Sequence, residues 1–544
     1  MLTKLNLQQE QYCNCTNIFD QTFQLRDKRK KVKDRVRNFK PFYNIGIIAG
    51  FFLSIGFSIL LAGCANTKAS YYPEKKYAPE QLQEDARILW KTLQQCHPSL
   101  YWYTPQQSLD STFNLMIASL QDSLTELQFR TRLSYTVAKI HCGHTSIRNS
   151  KAANNYRDKS LKPFFPLQVK TWNGDSMIVL ANAYRRDSLL VRGSSIQTIN
   201  GLPVKKVIDS ICQFISADGW HNNFKYQLIS NNFPGWYKAI FGLSEQYELE
   251  FTTADGKPQK VAIKNFDLVY EDSVRKALAK TPGLHPSPPP IRSGAPRRRL
   301  EDDRKLTIDT GRSLAIMELN TFSKAHLPAF FRKSFRKLRQ QNIRHLAIEL
   351  RENGGGNIIN STRLARYISD HPFKVADTVA AKSLEYPYRG LIKNGWVYKM
   401  QSWFVTSRKN DDRLHYRMYE KKMFKPYANR HYNGQVYIMT GGFTFSASTL
   451  FINPLKGQKN VTVIGEETGG GAYGNSAVNV PDLRLPNTNV RVRLPLYRLV
   501  VNKELPHNGR GILPDIYVAP SSWHLARRVD PKMMKVYELV KQAN

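Results

Sequence analysis

Residues 435–451 read QVYIMTGGFTFSASTLF. An apolar, β-rich run stops at two glycines, a cluster of hydroxyls follows, and a second apolar run begins. Strand, tight turn and helix in that order belong to a layered α/β core. Ser446 falls near the start of the helix. Free amides gather there and can hold a developing oxyanion, so a nucleophile is well placed. Ser446 or Thr444 could equally be an ordinary helix cap.

The same grammar extends outward. SLAIMEL (313–319) and RHLAIEL (344–350) read as buried strands, with the helical HLPAFFRKSFRKLRQQ (326–341) between them. The second strand runs into RENGGGN (351–357), and VTVIGEE (461–467) runs into TGGGAYG (468–474). Glycines let backbone amides approach a ligand closely. Gly354–Gly356 could cradle a phosphate, although no Lys-Ser/Thr pair follows. An oxyanion hole completed by Gly355 or Gly356 is the competing reading. The α/β pattern spans 309–525, and 526–544 reads as a closing helix.

Upstream, apolar residues recur at three and four over most of 79–150, which implies a helical N-terminal domain. Residues 160–275 alternate strand-like runs and turns. Within them VRGSSIQTINGLPVKKVIDSICQFI (191–215) resembles the signature of PDZ-like domains, which bind extended peptides as an added strand. Residues 276–308 are rich in proline and charge and read as a linker.

LAIELRENGGGN, TFSAS and VIGEETGGG, in this order, resemble the C-terminal processing (tail-specific) serine peptidases, a group that includes tricorn protease and the interphotoreceptor retinoid-binding protein repeats. The resemblance covers about residues 80–520. It implies a multidomain α/β fold: a helical N-terminal part, a PDZ-like β-rich domain and a crotonase/ClpP-like catalytic core. It makes Ser446 the nucleophile, with the Ala447 and Gly355 amides, and Gly356 beside them, as oxyanion donors. The Ser/Lys branch carries its base in a G-E-x-T-x-G-K segment. Here the segment is GEETGGG, with Gly471 at the lysine position. Lys456 is no substitute, since ten residues along one helix span about 15 Å. The tricorn-like branch has its base histidine in D-G-H-T. Here CGHT (142–145) matches, giving His144, with Cys142 in place of the acid. An imidazole would then govern activity, which should fall below about pH 6–7. Glu504 is the expected acidic third member, with Glu466 and Glu467 as rivals. Thr449 stands where many relatives have glutamate, and Pro454 interrupts the helix after Ser446. A zinc site at His141, Cys142 and His144 lacks further ligands. No metal or organic cofactor is expected.

The N-terminus sets the location. A basic stretch, RDKRKKVKDRVRNFK (26–40), precedes IGIIAGFFLSIGFSILLAG (45–63) and Cys64. This is signal-peptide order, and LAGC resembles a bacterial lipobox. Residues 1–64 are thus read as a lipoprotein signal with Cys64 as the lipidated mature start, and 65–78 as a tether. An uncleaved anchor helix is the alternative. Cys96, Cys142 and Cys212 remain in the mature chain, an odd number that argues against a disulfide framework. The formal charge of +37 suggests nucleic acid at first. The basic residues are spread along the chain without a nucleic-acid motif, so a basic surface facing an anionic envelope or acidic peptides fits better. The expected protein is a lipid-anchored envelope serine endopeptidase acting on polypeptides, with cleavage near free C-termini as one expectation. The alternative is a non-catalytic module binding a peptide or apolar ligand.

Overall fold

The computed structural model describes residues 71–156, 163–184, 187–267, 300–383 and 385–543. The leader, Cys64, the first part of the tether and most of 276–308 lie outside the described residues.

Three helices open the structure: α1 (Pro79–Cys96), α2 (Gln106–Ala118) and α3 (Glu126–Ala138). Pro79 begins α1 where no amide partner is needed, and the Gln81 side chain receives the Ala78 amide at 3.1 Å. Thr125 and Gln128 form a reciprocal cap on α3. Leu82, Ala86, Leu89 and Leu93 line one face of α1, and Trp90 stacks on Phe113 of α2 at 4.0 Å. This apolar face is not a separate core. It is continuous with the interior of the α/β part, so the helical segment and the α/β part share one core.

The next unit holds β1 (Leu167–Lys170), β2 (Ile178–Asn182), β3 (Ser195–Ile199), α4 (Val204–Cys212), α5 (Asn223–Asn231), α6 (Phe233–Phe241), β4 (Gln246–Thr252) and β5 (Pro258–Lys264). The strands pair antiparallel in the order β1-β2-β3-β4-β5 and share a core with the three helices. The sequence reading found α4 but neither α5 nor α6.

The remainder runs β6 (Arg304–Asp309), β7 (Leu314–Leu319), α7 (Leu327–Gln340), β8 (His345–Glu349), α8 (Ile358–Ala365), β9 (Thr378–Ala381), α9 (Gly395–Val405), β10 (Thr406–Arg408), β11 (Leu414–Tyr416), β12 (Gln435–Thr440), α10 (Ala447–Ile452), β13 (Val461–Gly465), β14 (Gly474–Ala477), β15 (Tyr497–Val500), β16 (Ile516–Tyr517) and α11 (Pro531–Ala543). One sheet has the order β6-β7-β8-β12-β13-β16, parallel except for β6. β8, β12 and β13 are buried almost throughout, as parallel strands covered on both faces must be. A second, antiparallel sheet has the order β10-β11-β9-β15-β14.

Candidate active site

Three adjacent parallel strands end at the same edge, and each releases a glycine-rich loop there. β8 leads to Gly354–Gly356, β12 to Gly441–Ser446, and β13 to Gly469–Gly471. The carboxyl edge of a parallel sheet is where such folds place their ligands.

Ser446 is held in a conformation that non-glycine residues rarely adopt, φ 55° and ψ −118°, just before α10. Such a backbone costs about 1–3 kcal/mol and persists only where its surroundings over-determine it. They do so here. The Phe445 amide donates to the Asn353 carbonyl at 3.2 Å, and the Ser446 carbonyl accepts from the Thr449 amide at 3.0 Å and the Thr449 hydroxyl at 2.7 Å. The Thr444 hydroxyl donates to the Leu350 carbonyl at 2.9 Å, so Thr444 stitches the turn to β8. The Ser446 side chain makes no cap hydrogen bond to α10. It faces His144 instead, with Oγ 3.1 Å from Nε2.

His144 reaches the serine from the loop after α3, 302 positions earlier in the chain. That loop is tied on several sides. His141 (φ 54°) places Nδ1 2.9 Å from the Gly219 carbonyl, and its ring lies against Trp220. Thr145 Oγ1 meets buried His97 Nε2 at 2.8 Å. The Arg493 amide donates to the Ser146 carbonyl at 3.0 Å, and Ile147–Arg148 pairs with the strand Arg491–Arg493. The Gly143 amide donates to Asp218 Oδ1 at 2.8 Å. The His144 ring also packs on Phe445, at 4.9 Å between centroids.

No carboxylate completes a triad. His144 Nδ1 is buried and has no hydrogen-bond partner among the described residues. Glu504 is exposed, and its amide is turned onto Asn502 Oδ1 at 2.9 Å. Glu466 is paired with Lys532 at 2.6 Å, and Glu467 with Arg510 at 2.7 Å. The expected third member is therefore not at the histidine in this structure, and neither rival replaces it. Lys456 is paired with Asp515. At Gly471 a Cβ would stand 2.6 Å from the Gly474 carbonyl oxygen, so the backbone there leaves no room for the Ser/Lys branch's lysine.

The sequence reading missed Asp218. It lies between α4 and α5, is 3% exposed, and bridges the Gly143 amide and, more loosely at 3.5 Å, the Gly471 amide. Burial pushes its carboxyl up to about 7 against the two amides that favour the charged form. Cys142, buried beside it, is pushed up to about 11 by burial and then by Asp218. Burial, with Arg493 adding to it, pulls His144 down to about 3. Burial thus favours the neutral imidazole, the form that can accept the serine proton.

Asp218 makes a testable contribution to stability. Burial pushes the folded carboxyl up to about 7, whereas a solvated aspartate releases its proton near 3.8. Between those values the folded state binds more protons, so stability falls as pH rises through the window, by on the order of 4 kcal/mol. Asp218→Asn keeps an acceptor for Gly143 and removes the buried charge. It should raise Tm at pH 8 and change it little at pH 4. Equal Tm shifts at both pH values would refute the assignment.

The glycine loop after β8 meets the serine turn closely. A Cβ on Gly355 (φ 98°) would stand 2.7 Å from Ser446 Cβ and 2.8 Å from the Ala447 amide nitrogen. The Gly355 amide is already used, donating to Asn353 Oδ1 at 2.9 Å. The Gly356 and Ala447 amides donate to no protein group among the described residues. Of the three expected oxyanion donors, two are open and Gly355 is engaged. His141, Cys142 and His144 do not form a cluster fit for a metal ion, and no such group of ligands occurs among the described residues.

Residues 313–518 match the family model of peptidase family S41. A search of curated proteins returns no match. Among solved structures, mature CPAF complexed with lactacystin aligns at a TM-score of 0.56 and 15% identity, over 85% of this chain and 98% of that one. The photosystem II D1 C-terminal processing protease aligns at 0.36 and 15%, over 82% and 96%. Tricorn protease aligns at 0.34 and 13%, over 85% and 37%. The CPAF likeness is one of fold. The family assignment rests on the core that carries the glycine loops and Ser446: residues 313–518 are a domain of peptidase family S41, and the chain is a serine peptidase.

Proposed function

We propose that this serine peptidase is a lipid-anchored endopeptidase of the bacterial envelope that works through a Ser446–His144 dyad. The observation that carries the dyad is the 3.1 Å contact between Ser446 Oγ and His144 Nε2, made at a serine held at φ 55°. In the first step His144 Nε2 takes the Ser446 proton while Oγ adds to a peptide carbonyl. The Ala447 and Gly356 amides receive the oxyanion. Collapse breaks the C–N bond, and His144 returns the proton to the leaving amine. Water, deprotonated by His144, then releases the acyl group and restores the serine. Asp218 positions the base loop through Gly143.

The unit of β1–β5 is read as PDZ-like and as the grip on the C-terminal stretch of an extended polypeptide. It adjoins the catalytic edge: Gly219 packs against Gly509, and Phe224 stacks on Phe445 at 4.8 Å. Cys64 is taken as the acylated mature start, which mass spectrometry of the native N-terminus tests. A peptide spanning Gly63 and Cys64 in the mature protein would exclude it. For the dyad the test is a fluorophosphonate probe, which should label Ser446 in wild type and not in His144→Ala. An unlabelled wild type would instead favour a binding module.

A further inference from the structure

α9 is apolar on two sides: Tyr398 and Val405 pack inward against the core, and a second set of large apolar side chains turns outward. Its buried residues are Gly395 and Ser402, and the Ser402 hydroxyl receives the Tyr497 hydroxyl at 2.6 Å. On the opposite side Trp396 is 63% exposed, Met400 48%, Trp403 71% and Phe404 73%. Positions i, i+4, i+7 and i+8 fall within an arc of about 100° on a helix. Four large apolar side chains thus share one face with no partner among the described residues, where isolated exposed residues would need no explanation.

The setting of that face indicates its occupant. Lys393 and Lys399 are exposed on and beside the helix. Residues 389–430 carry eleven Lys/Arg against three Asp/Glu, a formal +8. The acids are already engaged: Asp412 with Arg408, Glu420 with Lys409 and His415, and Asp411 with His415. The cores of protein–protein interfaces are poor in lysine. Tryptophan and phenylalanine interleaved with lysine, on the outward side of a helix whose inner side is anchored to the core by Tyr398 and Val405, are the composition of a segment lying in a membrane interface. Eleven residues span about 16 Å, too short to cross a bilayer. No helix among the described residues is long and apolar enough to do so.

We propose that α9 docks on an anionic lipid bilayer, lying flat in the headgroup region with Trp396, Met400, Trp403 and Phe404 at the acyl boundary and Lys393 and Lys399 at the phosphates. This contact holds whether or not Cys64 is acylated. It would add a second attachment point and fix which side of the catalytic body faces the membrane.

The tryptophans allow a test on the full chain. All eight lie between Trp90 and Trp523, so none belongs to the N-terminal apolar run. The full chain is reconstituted in phosphatidylglycerol/phosphatidylethanolamine vesicles with dibrominated or ordinary acyl chains, and tryptophan emission is compared. Brominated chains should quench up to about a quarter of the wild-type emission, two emitters of eight. Trp396→Gln/Trp403→Gln should lose most of that quenching, while peptide hydrolysis in detergent stays at the wild-type level. Replacing phosphatidylglycerol by phosphatidylcholine should at least halve the wild-type effect. Equal fractional quenching in variant and wild type overturns the proposal. So does a variant that quenches normally but sediments as a smaller species in detergent, which would assign the face to a second copy. A variant with a raised KM for a soluble polypeptide and unchanged quenching would assign it to substrate.

Discussion

Ser446→Ala lowers kcat for peptide hydrolysis by at least about 10⁴-fold, with the fold intact. The change removes one oxygen and little else. Alanine is no worse than serine at φ 55°, and the bonds that impose this conformation are made by the Ser446 carbonyl, which the substitution keeps. The lost contact is the one to His144 Nε2. Circular dichroism and Tm should therefore match wild type, while turnover of an unstructured polypeptide falls to the residual supplied by binding and the oxyanion donors. Near-normal turnover in purified Ser446→Ala would sink the nucleophile assignment. A fully retained fold with no activity in wild type either would favour the binding-module alternative.

What could be read from the sequence was what the chemistry keeps contiguous. Strand, glycine turn and Ser446 occupy a dozen consecutive residues, so the turn and the strained serine were legible together. The three glycine loops were legible for the same reason, and parallel pairing of β8, β12 and β13 brings them to one edge. His144 was recognisable from its own short segment. Asp218 was not, because its role exists only in space: it meets Gly143 75 positions away and Gly471 253 positions away, and nothing in SADGW marks it. Glu504 shows the converse. Its segment lies in the expected region, but the turn at Asn502 leaves the side chain in solvent, and a carboxylate's direction is not a property of sequence position. Gly355 was placed correctly beside the serine, yet Asn353 takes its amide through a two-residue turn that motif matching does not register. The antiparallel sheet around β9, β10 and β11 escaped because its strands are three or four residues long, too short for an alternation to show. α9 was hidden for a different reason. Its apolar stripe is sound helical periodicity, but a stripe cannot say whether it faces a core or the outside.

His144→Ala should cost about as much as loss of the serine, because the two act as a unit. His141→Ala should be far milder, since His141 braces Gly219 and Trp220 and does not face Ser446. The more discriminating outcome concerns pH. Burial pulls His144 well below the usual imidazole range and favours the neutral base, so an acid limb at pH 6–7 is expected to come from another group. Burial pushes the Asp218 carboxyl up to about 7, and its charge sits one residue from the base, where it favours the imidazolium formed in the transition state. kcat/KM for wild type is therefore expected to rise through pH 7 as Asp218 ionises. In Asp218→Asn the limb should vanish, leaving a lower plateau that is flat from pH 5 to 8. A structural role for Asp218 alone would lower the plateau and leave the limb in place. If the limb survives in Asp218→Asn with its midpoint unmoved, it belongs to His144, and the imidazole is less desolvated in the working enzyme than its packing against Phe445 implies.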